Sequence, residues 1–155
     1  TWREFPDINN GDVYPSPYDR PHDISIVSNW DISPRWTVAA NWVYSTGQPV
    51  TFPTGRAFVG NVILPIYSDR NAYRMEDYHR LDLSATLHFI KKPGSNFEHS
   101  LTLAIYNAYD RHNTWAINFV QEEPTPGNPN KAYETYAEKT YLFGIIPAIT
   151  WNFKF

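Results

Sequence analysis

His79, Arg80, Asp82, His88, Glu98 and His99 gather imidazole, guanidinium and carboxylate groups into one stretch of chain. These are the usual proton carriers and metal ligands. Their spacing separates them. At the two-residue period of a β-strand, Arg80, Asp82 and His88 share a polar face, whereas His99 falls on the opposite parity beside a turn. A polar face turned to water already accounts for the first three, and an interfacial position accounts for His99. The chain has no Gly-x-Ser-x-Gly elbow, phosphate loop or His-Glu-x-x-His pair, and no cysteine for a thiolate or disulfide. The expectation is that the chain is not an enzyme and has no catalytic residue, bound cofactor or metal.

The elements that would carry these residues are defined by alternation. In 22–32, Ile24, Ile26, Trp30 and Ile32 share one face with Ser28, and Asp23, Ser25, Asn29 and Asp31 share the other with Val27. From Trp36, the residues Trp36, Val38, Ala40, Trp42 and Tyr44 oppose Thr37, Ala39, Asn41 and Ser45, with Val43 the exception. In 78–91, Leu81, Leu83, Ala85, Leu87 and Phe89 oppose Arg80, Asp82, Ser84, Thr86 and His88. Leu101, Leu103 and Ile105 oppose Ser100, Thr102, Ala104 and Tyr106, with the pattern blurring at Asn107 and Ala108 as at a bulge. The last segment sets Tyr141, Phe143, Ile145, Pro147, Ile149, Trp151, Phe153 and Phe155 against Gly144, Ala148, Thr150, Asn152 and Lys154, with Leu142 and Ile146 as exceptions. Strands are thus expected over about 22–32, 36–52, 78–91, 97–109 and 139–155.

One greasy and one polar face per strand, with an aromatic final residue, is the pattern of an antiparallel transmembrane β-barrel of the bacterial outer membrane. No apolar run approaches the ~18 residues of a membrane helix, which excludes helical spanning. The net charge of −3 and scattered basic residues give no footprint for nucleic acid. Connection lengths alternate as well: 33–35 and 92–95 are tight turns, whereas 53–77 and 110–138 are long. Short turns belong to the periplasmic side of such barrels and long loops to the outside, so the C-terminus is expected in the periplasm. Residues 1–21 read as the end of another outer loop, and the proline-rich stretch 122–131 as a loop tip. The β-rich runs 57–67 and 114–121 suggest strands continuing above the membrane. Trp30 and Trp36 flank the first short turn, while Trp42 and Tyr44 lie toward the far end of the second strand. That is where amphipathic rings collect at membrane interfaces.

Five strands do not close a barrel, and an open sheet in lipid leaves backbone groups unpaired at a cost of several kcal/mol each. The chain is therefore expected to be the last five or so strands of a larger barrel.

Several blocks carry a resemblance that spans essentially the whole chain: Asn41-Trp42-Val43-Tyr44-Ser45-Thr46-Gly47-Gln48-Pro49, Asp69-Arg70-Asn71-Ala72-Tyr73-Arg74, Asp77-Tyr78-His79-Arg80-Leu81-Asp82, Ala104-Ile105-Tyr106-Asn107-Ala108-Tyr109-Asp110 and the terminal aromatic strand. In this order they resemble the C-terminal barrel region of TonB-dependent outer-membrane receptors of the Bacteroidota type. The resemblance implies a barrel of about 22 strands with a plugged lumen, the plug lying outside these residues. It implies import of a scarce nutrient (siderophore, haem, cobalamin, glycan or peptide), driven by the proton gradient. The implied partners are the plug and remaining strands of the same receptor, the TonB-ExbB-ExbD complex acting through the plug region, and the barrel assembly machinery. Outer-membrane lipid and lipopolysaccharide would surround it, and a surface lipoprotein lid is compatible with nutrient-type members. Tyr141, Phe143, Trp151, Phe153 and Phe155 resemble the family's assembly signal. Pro147 departs from an ideal strand there because it supplies no ladder donor.

For substrate contact, residues in the outer connections are the better candidates, because a barrel fixes loop bases while leaving their tips free to vary. These are Arg56, Arg70, Tyr73, Arg74, Arg111, His112, Trp115 and Tyr133. For each, solvation of the outer surface or contact with lipopolysaccharide phosphates is the plainer role. Two further functions stay open: an outer-membrane barrel that does not transport (enzyme or adhesin), and a soluble β-barrel that binds an apolar ligand.

Overall fold

A computed structural model describes residues 11–60, 62–91, 93, 94, 96–122 and 134–155. The described residues are all-β and antiparallel. In chain order the strands are β1 (Asp23–Ser33), β2 (Trp36–Ser45), β3 (Pro49–Val50), β4 (Pro53–Val59), β5 (Val62–Tyr67), β6 (Tyr73–Arg74), β7 (Tyr78–His88), β8 (Glu98–Tyr106), β9 (Ala116–Glu122), β10 (Glu134–Thr140) and β11 (Ile146–Lys154). They fall into two compact units.

The first unit comprises His22–Thr46, Tyr78–Asn113 and Phe143–Phe155. It is a five-stranded sheet in the order β1-β2-β7-β8-β11. Among the described residues this sheet is open, with β1 and β11 at its edges, and no closed barrel forms. The ladders put the alternation into register across all five strands. Ile26 faces Trp42 and Trp42 faces Leu81; Val38 faces Ala85, Ala85 faces Leu103, and Leu103 faces Ile149. On the other face Asp31, Thr37, Thr86, Thr102 and Thr150 form one cross-strand row. The strand lengths of 9 to 11 residues suit a bilayer crossing when tilted.

The second unit, residues 11–21, 47–77 and 114–142, carries three two-stranded ladders: β3 with β6, β4 with β5, and β9 with β10. Here side chains tie separate segments together. Asn71 Nδ2 donates to the Pro15 carbonyl at 2.8 Å, and the Asn71 N–H donates to Thr51 Oγ1 at 2.9 Å. Phe52 stacks on Tyr73 and meets Phe119 edge-on, both at 5.3 Å between centroids. Tyr14 is the one large hydrophobic side chain buried among the described residues.

Several strand ends differ from those expected. The second strand stops at Ser45 rather than near 52. Gly47 turns the chain close to another backbone segment: a Cβ there would lie 1.8 Å from the Met75 carbonyl oxygen. Pro49 then pairs with Arg74 in a ladder of its own. The terminal strand starts at Ile146, not 139, because Lys139 and Thr140 belong to β10 and face Ile117 and Ala116. The Ile145 N–H is taken by Asp110 Oδ1 at 2.8 Å, so a side chain occupies the position a ladder would use. The strand expected to reach 109 ends at Tyr106, where Asn107 turns left-handed with φ of 54°. The strand expected to reach 91 ends at His88. The runs 57–67 and 114–121 form separate hairpin ladders rather than prolonging β2 or β8. Most of the proline-rich stretch 122–131 lies outside the described residues.

Candidate functional site

Tyr78, Arg80 and Asp82 alternate along β7 and so project from the same polar face, beside Tyr106 of β8. Arg80 Nε donates to Asp82 Oδ2 at 3.1 Å, and its Nη2 lies 2.9 Å from the same oxygen. Its Nη1 donates to the hydroxyls of Tyr78 and Tyr106, at 2.9 and 2.6 Å. The guanidinium also lies 4.0 Å from the centroid of the Tyr106 ring, a cation–π distance. Asp82 Oδ1 accepts the Asn107 N–H at 3.0 Å. One carboxylate therefore holds both the arginine and the residue at which β8 turns away. A planar guanidinium suits this because its donors diverge in a fixed fork.

Farther along the same face, Thr37 Oγ1 donates to Asp31 Oδ1 at 2.7 Å and lies 3.3 Å from His88 Nε2. Thr86 and Thr102 share a hydroxyl hydrogen bond at 2.9 Å. The face is thus hydrogen-bonding but largely uncharged at its centre. Arg80 and Asp82 meet as their parity implies, and His88 stands apart from them. His79 has the opposite parity and bonds the Tyr109 hydroxyl at 2.7 Å. Glu98 pairs with Lys91 at 2.8 Å. Among the described residues no group of three or more His, Asp or Glu side chains stands ready to hold a metal ion.

The apolar face is a different surface. Leu83 is 40% exposed, Leu103 49% and Ile149 74%, so the sheet's greasiest positions do not form a core. At its centre a depression of about 450 Å³ is lined by Ser28, Trp30, Ala40, Leu83, Ala85 and Leu103, among others, because small side chains there sit between large ones. Aromatic rings gather where the short turns lie. His99 stacks on Phe89 with ring centroids 4.2 Å apart and on Phe97 at 5.1 Å, and meets Trp151 edge-on at 6.2 Å. Trp151, Phe153 and Phe155 touch in sequence at 5.7 and 5.6 Å. Trp30 and Trp36 are exposed, and Trp42 stacks with Tyr44 at 6.1 Å. Of the residues resembling an assembly signal, Phe143 packs edge-on against Tyr106 at 6.3 Å, and Tyr141 precedes β11 as an exposed residue of the second unit.

The substrate-contact candidates are not one cluster. Arg56 lies in β4, opposite Pro65. Arg70 sits over the Tyr14 ring at 5.1 Å. Tyr73 pairs with Val50 and stacks on Phe52. Arg74 forms an ion pair with Asp19, and its Nη1 also donates to the carbonyls of Asp19 and Gly47, at 3.0 and 3.1 Å. That side chain ties the second unit together as well as presenting a charge. Trp115 is exposed in the second unit, with its N–H donated to the Thr140 carbonyl at 2.8 Å. Arg111 and His112 belong to the first unit, the latter 3.9 Å from Asp110. Tyr133 lies outside the described residues. Parity gave no sign that Asn107 and Asn113 would matter: Asn107 bonds the backbone of Arg111 and Asn113 that of His79 in β7, contacts set by proximity and not by the two-residue period.

Comparison with protein-family models, curated proteins and solved structures gives no match.

Proposed function

We propose that this chain is the C-terminal part of a TonB-dependent outer-membrane transporter that imports a scarce nutrient. In this reading the five-stranded sheet is a portion of the barrel wall. Its apolar face meets lipid, its polar face lines the lumen, and β1 and β11 pair with strands outside these residues. The barrel would hold about 22 strands around a plug. TonB would act through the plug, and the connections of the second unit would meet cargo outside the cell.

One observation carries the membrane part of the reading: apolar side chains stay exposed in register over five strands, beside tryptophan and phenylalanine rings near the turns. In water such a surface is an aggregation hazard far larger than the patches that monomeric proteins expose, whereas in hydrocarbon it is the favourable arrangement. The polar face supports the lumenal half, because threonine, asparagine and an internally paired arginine suit a wetted wall. The transport part rests on the resemblance of the sequence blocks.

The test is fractionation of the protein from its native source. The reading expects recovery in the outer membrane, within a polypeptide that carries a plug before these residues. Recovery as a monodisperse protein without detergent would overturn it. Phe155→Asp addresses assembly separately: membrane abundance should fall severalfold, and unchanged abundance would count against the terminal-strand role.

A further inference from the structure

The apolar face of the five-stranded sheet carries a trough with a polar group at one end. The ladders set that face in rows. Trp36, Leu87, Leu101 and Trp151 form one row; Trp30, Val38, Ala85 and Leu103 form the next, farther from the short turns. In the first row Trp36 and Trp151 are exposed at the sides, whereas Leu87 and Leu101 between them are partly buried. Beyond it the small side chains of Ala85, Ala40 and Ser28 line the depression between Trp30, Leu83 and Leu103. The leucines of the first row and the small residues beyond them form one continuous path along the sheet.

His99 stands at the turn end of that path, on the same parity as Leu101 and Leu103. Phe89 and Phe97 stack on its ring, and the Trp151 Nε1–H is donated to its Nδ1 at 3.4 Å. A ring nitrogen that accepts a hydrogen bond carries no hydrogen, so in this arrangement the imidazole proton sits on Nε2. Among the described residues Nε2 has no protein partner, and the side chain is partly exposed. Left unpaired at the edge of hydrocarbon, such a donor costs ~1–3 kcal/mol. The charges nearby favour an anion as its acceptor. Lys91 and Lys154 both stand beside Glu98, the first in an ion pair and the second opposite it in the ladder, and lysine stems are long enough to carry their charge around a rim. From His99 to Leu103 is four residues of β8, roughly 13 Å at ~3.3 Å per residue, which lies within the ~15 Å of one leaflet of a ~30 Å hydrocarbon core.

We propose that this trough seats one glycerophospholipid, whose phosphate accepts the His99 Nε2–H and whose acyl chain lies over Leu87 and Leu101 into the depression at Ala85 and Ala40. The proposal rests on the membrane reading and names a lipid that one part of the apolar face selects. A seated chain supplies the dispersion contacts that the small side chains leave unmade.

The test uses the full receptor, stripped of lipid in detergent and titrated with phosphatidylglycerol or with diacylglycerol of the same acyl chains, the bound lipid being counted by native mass spectrometry. Wild type should take up a single phosphatidylglycerol with about tenfold preference over diacylglycerol, the size of one hydrogen bond to a charged group. His99→Phe keeps the ring stacking but removes the donor; it should cut that preference severalfold while leaving diacylglycerol binding as it was. His99→Gln retains a donor and should keep the preference. Ala85→Leu fills the depression and should weaken both lipids severalfold, whereas Ala104→Leu, which adds the same bulk to the polar face, should weaken neither. Equal affinity for the two lipids in wild type, a preference unchanged by His99→Phe, or binding indifferent to Ala85→Leu would overturn the proposal. A receptor that stays monodisperse without detergent would instead contradict the membrane reading, so the two failures are separable.

Discussion

The five-stranded sheet and the unit formed by 11–21, 47–77 and 114–142 solve the same problem in opposite ways. The sheet satisfies its backbone through long ladders, yet leaves Leu103, Ile149 and Trp151 exposed. The second unit has short ladders and is joined by ties that water tolerates, such as Arg74 with Asp19, Lys139 with Glu76, and Asn71 with Thr51 and Pro15. A surface ion pair of this type contributes only ~0–1 kcal/mol. Burial of Tyr14 and the contacts of Phe52 supply apolar packing. The sheet therefore leaves the apolar side chains of a whole face without partners of its own, whereas the second unit is held by contacts within itself.

Substitutions at neighbouring positions break this contrast most sharply. Leu103→Arg puts a charge on the apolar face at mid-strand and should cost about 2–4 kcal/mol in a bilayer. Thr102→Arg, one residue away on the polar face, should be nearly neutral. Unfolding in urea from lipid vesicles measures both, and equal effects would erase the distinction between the faces. Next in size is Gly47→Ala. The added Cβ would meet the Met75 carbonyl oxygen, displacing the backbone that Arg74 and Asp77 hold. A loss of about 1–3 kcal/mol is expected, read as faster tryptic cleavage after Arg70 and Arg74 while the sheet stays resistant. Asp82→Asn weakens the hold on Arg80 and should cost about 1–2 kcal/mol, seen as a lower urea midpoint. Lys91→Ala is expected to leave that midpoint unchanged, because both partners of its ion pair with Glu98 are about half exposed.

Much of the sheet was legible in the sequence, for a reason tied to the faces. Leu81 to Leu87 alternates with Arg80 to His88 because successive side chains of β7 project from opposite faces of the sheet, so an apolar and a polar face are written every second residue. Strand ends were less legible. The apolar parity runs back from β11 to Tyr141, yet Lys139 and Thr140 pair with β9 instead of prolonging β11, because periodicity does not name a partner. The stop after Ser45 depends on how closely Gly47 approaches Met75, 28 positions later in the sequence. The hydrogen bonds of Asn107 with Arg111 and of Asn113 with His79 are invisible for a similar reason. A carboxamide on a backbone is set by three-dimensional proximity, and neither asparagine follows a pattern. For the candidate site, parity placed Arg80 and Asp82 on one face of their strand and Tyr106 on the polar face of the next, but not the strand register that brings the Tyr78 and Tyr106 hydroxyls to Arg80.

The account rests on one face of the sheet meeting hydrocarbon and the other meeting water. The absence of cysteine makes a clean test available, since every introduced thiol reports alone. Single cysteines placed in turn at Ser100, Leu101, Thr102, Leu103, Ala104 and Ile105 would be treated in native membranes with a water-soluble thiol reagent. The account expects labelling at 100, 102 and 104 and protection at 101, 103 and 105. Uniform labelling, or the opposite phase, would contradict it.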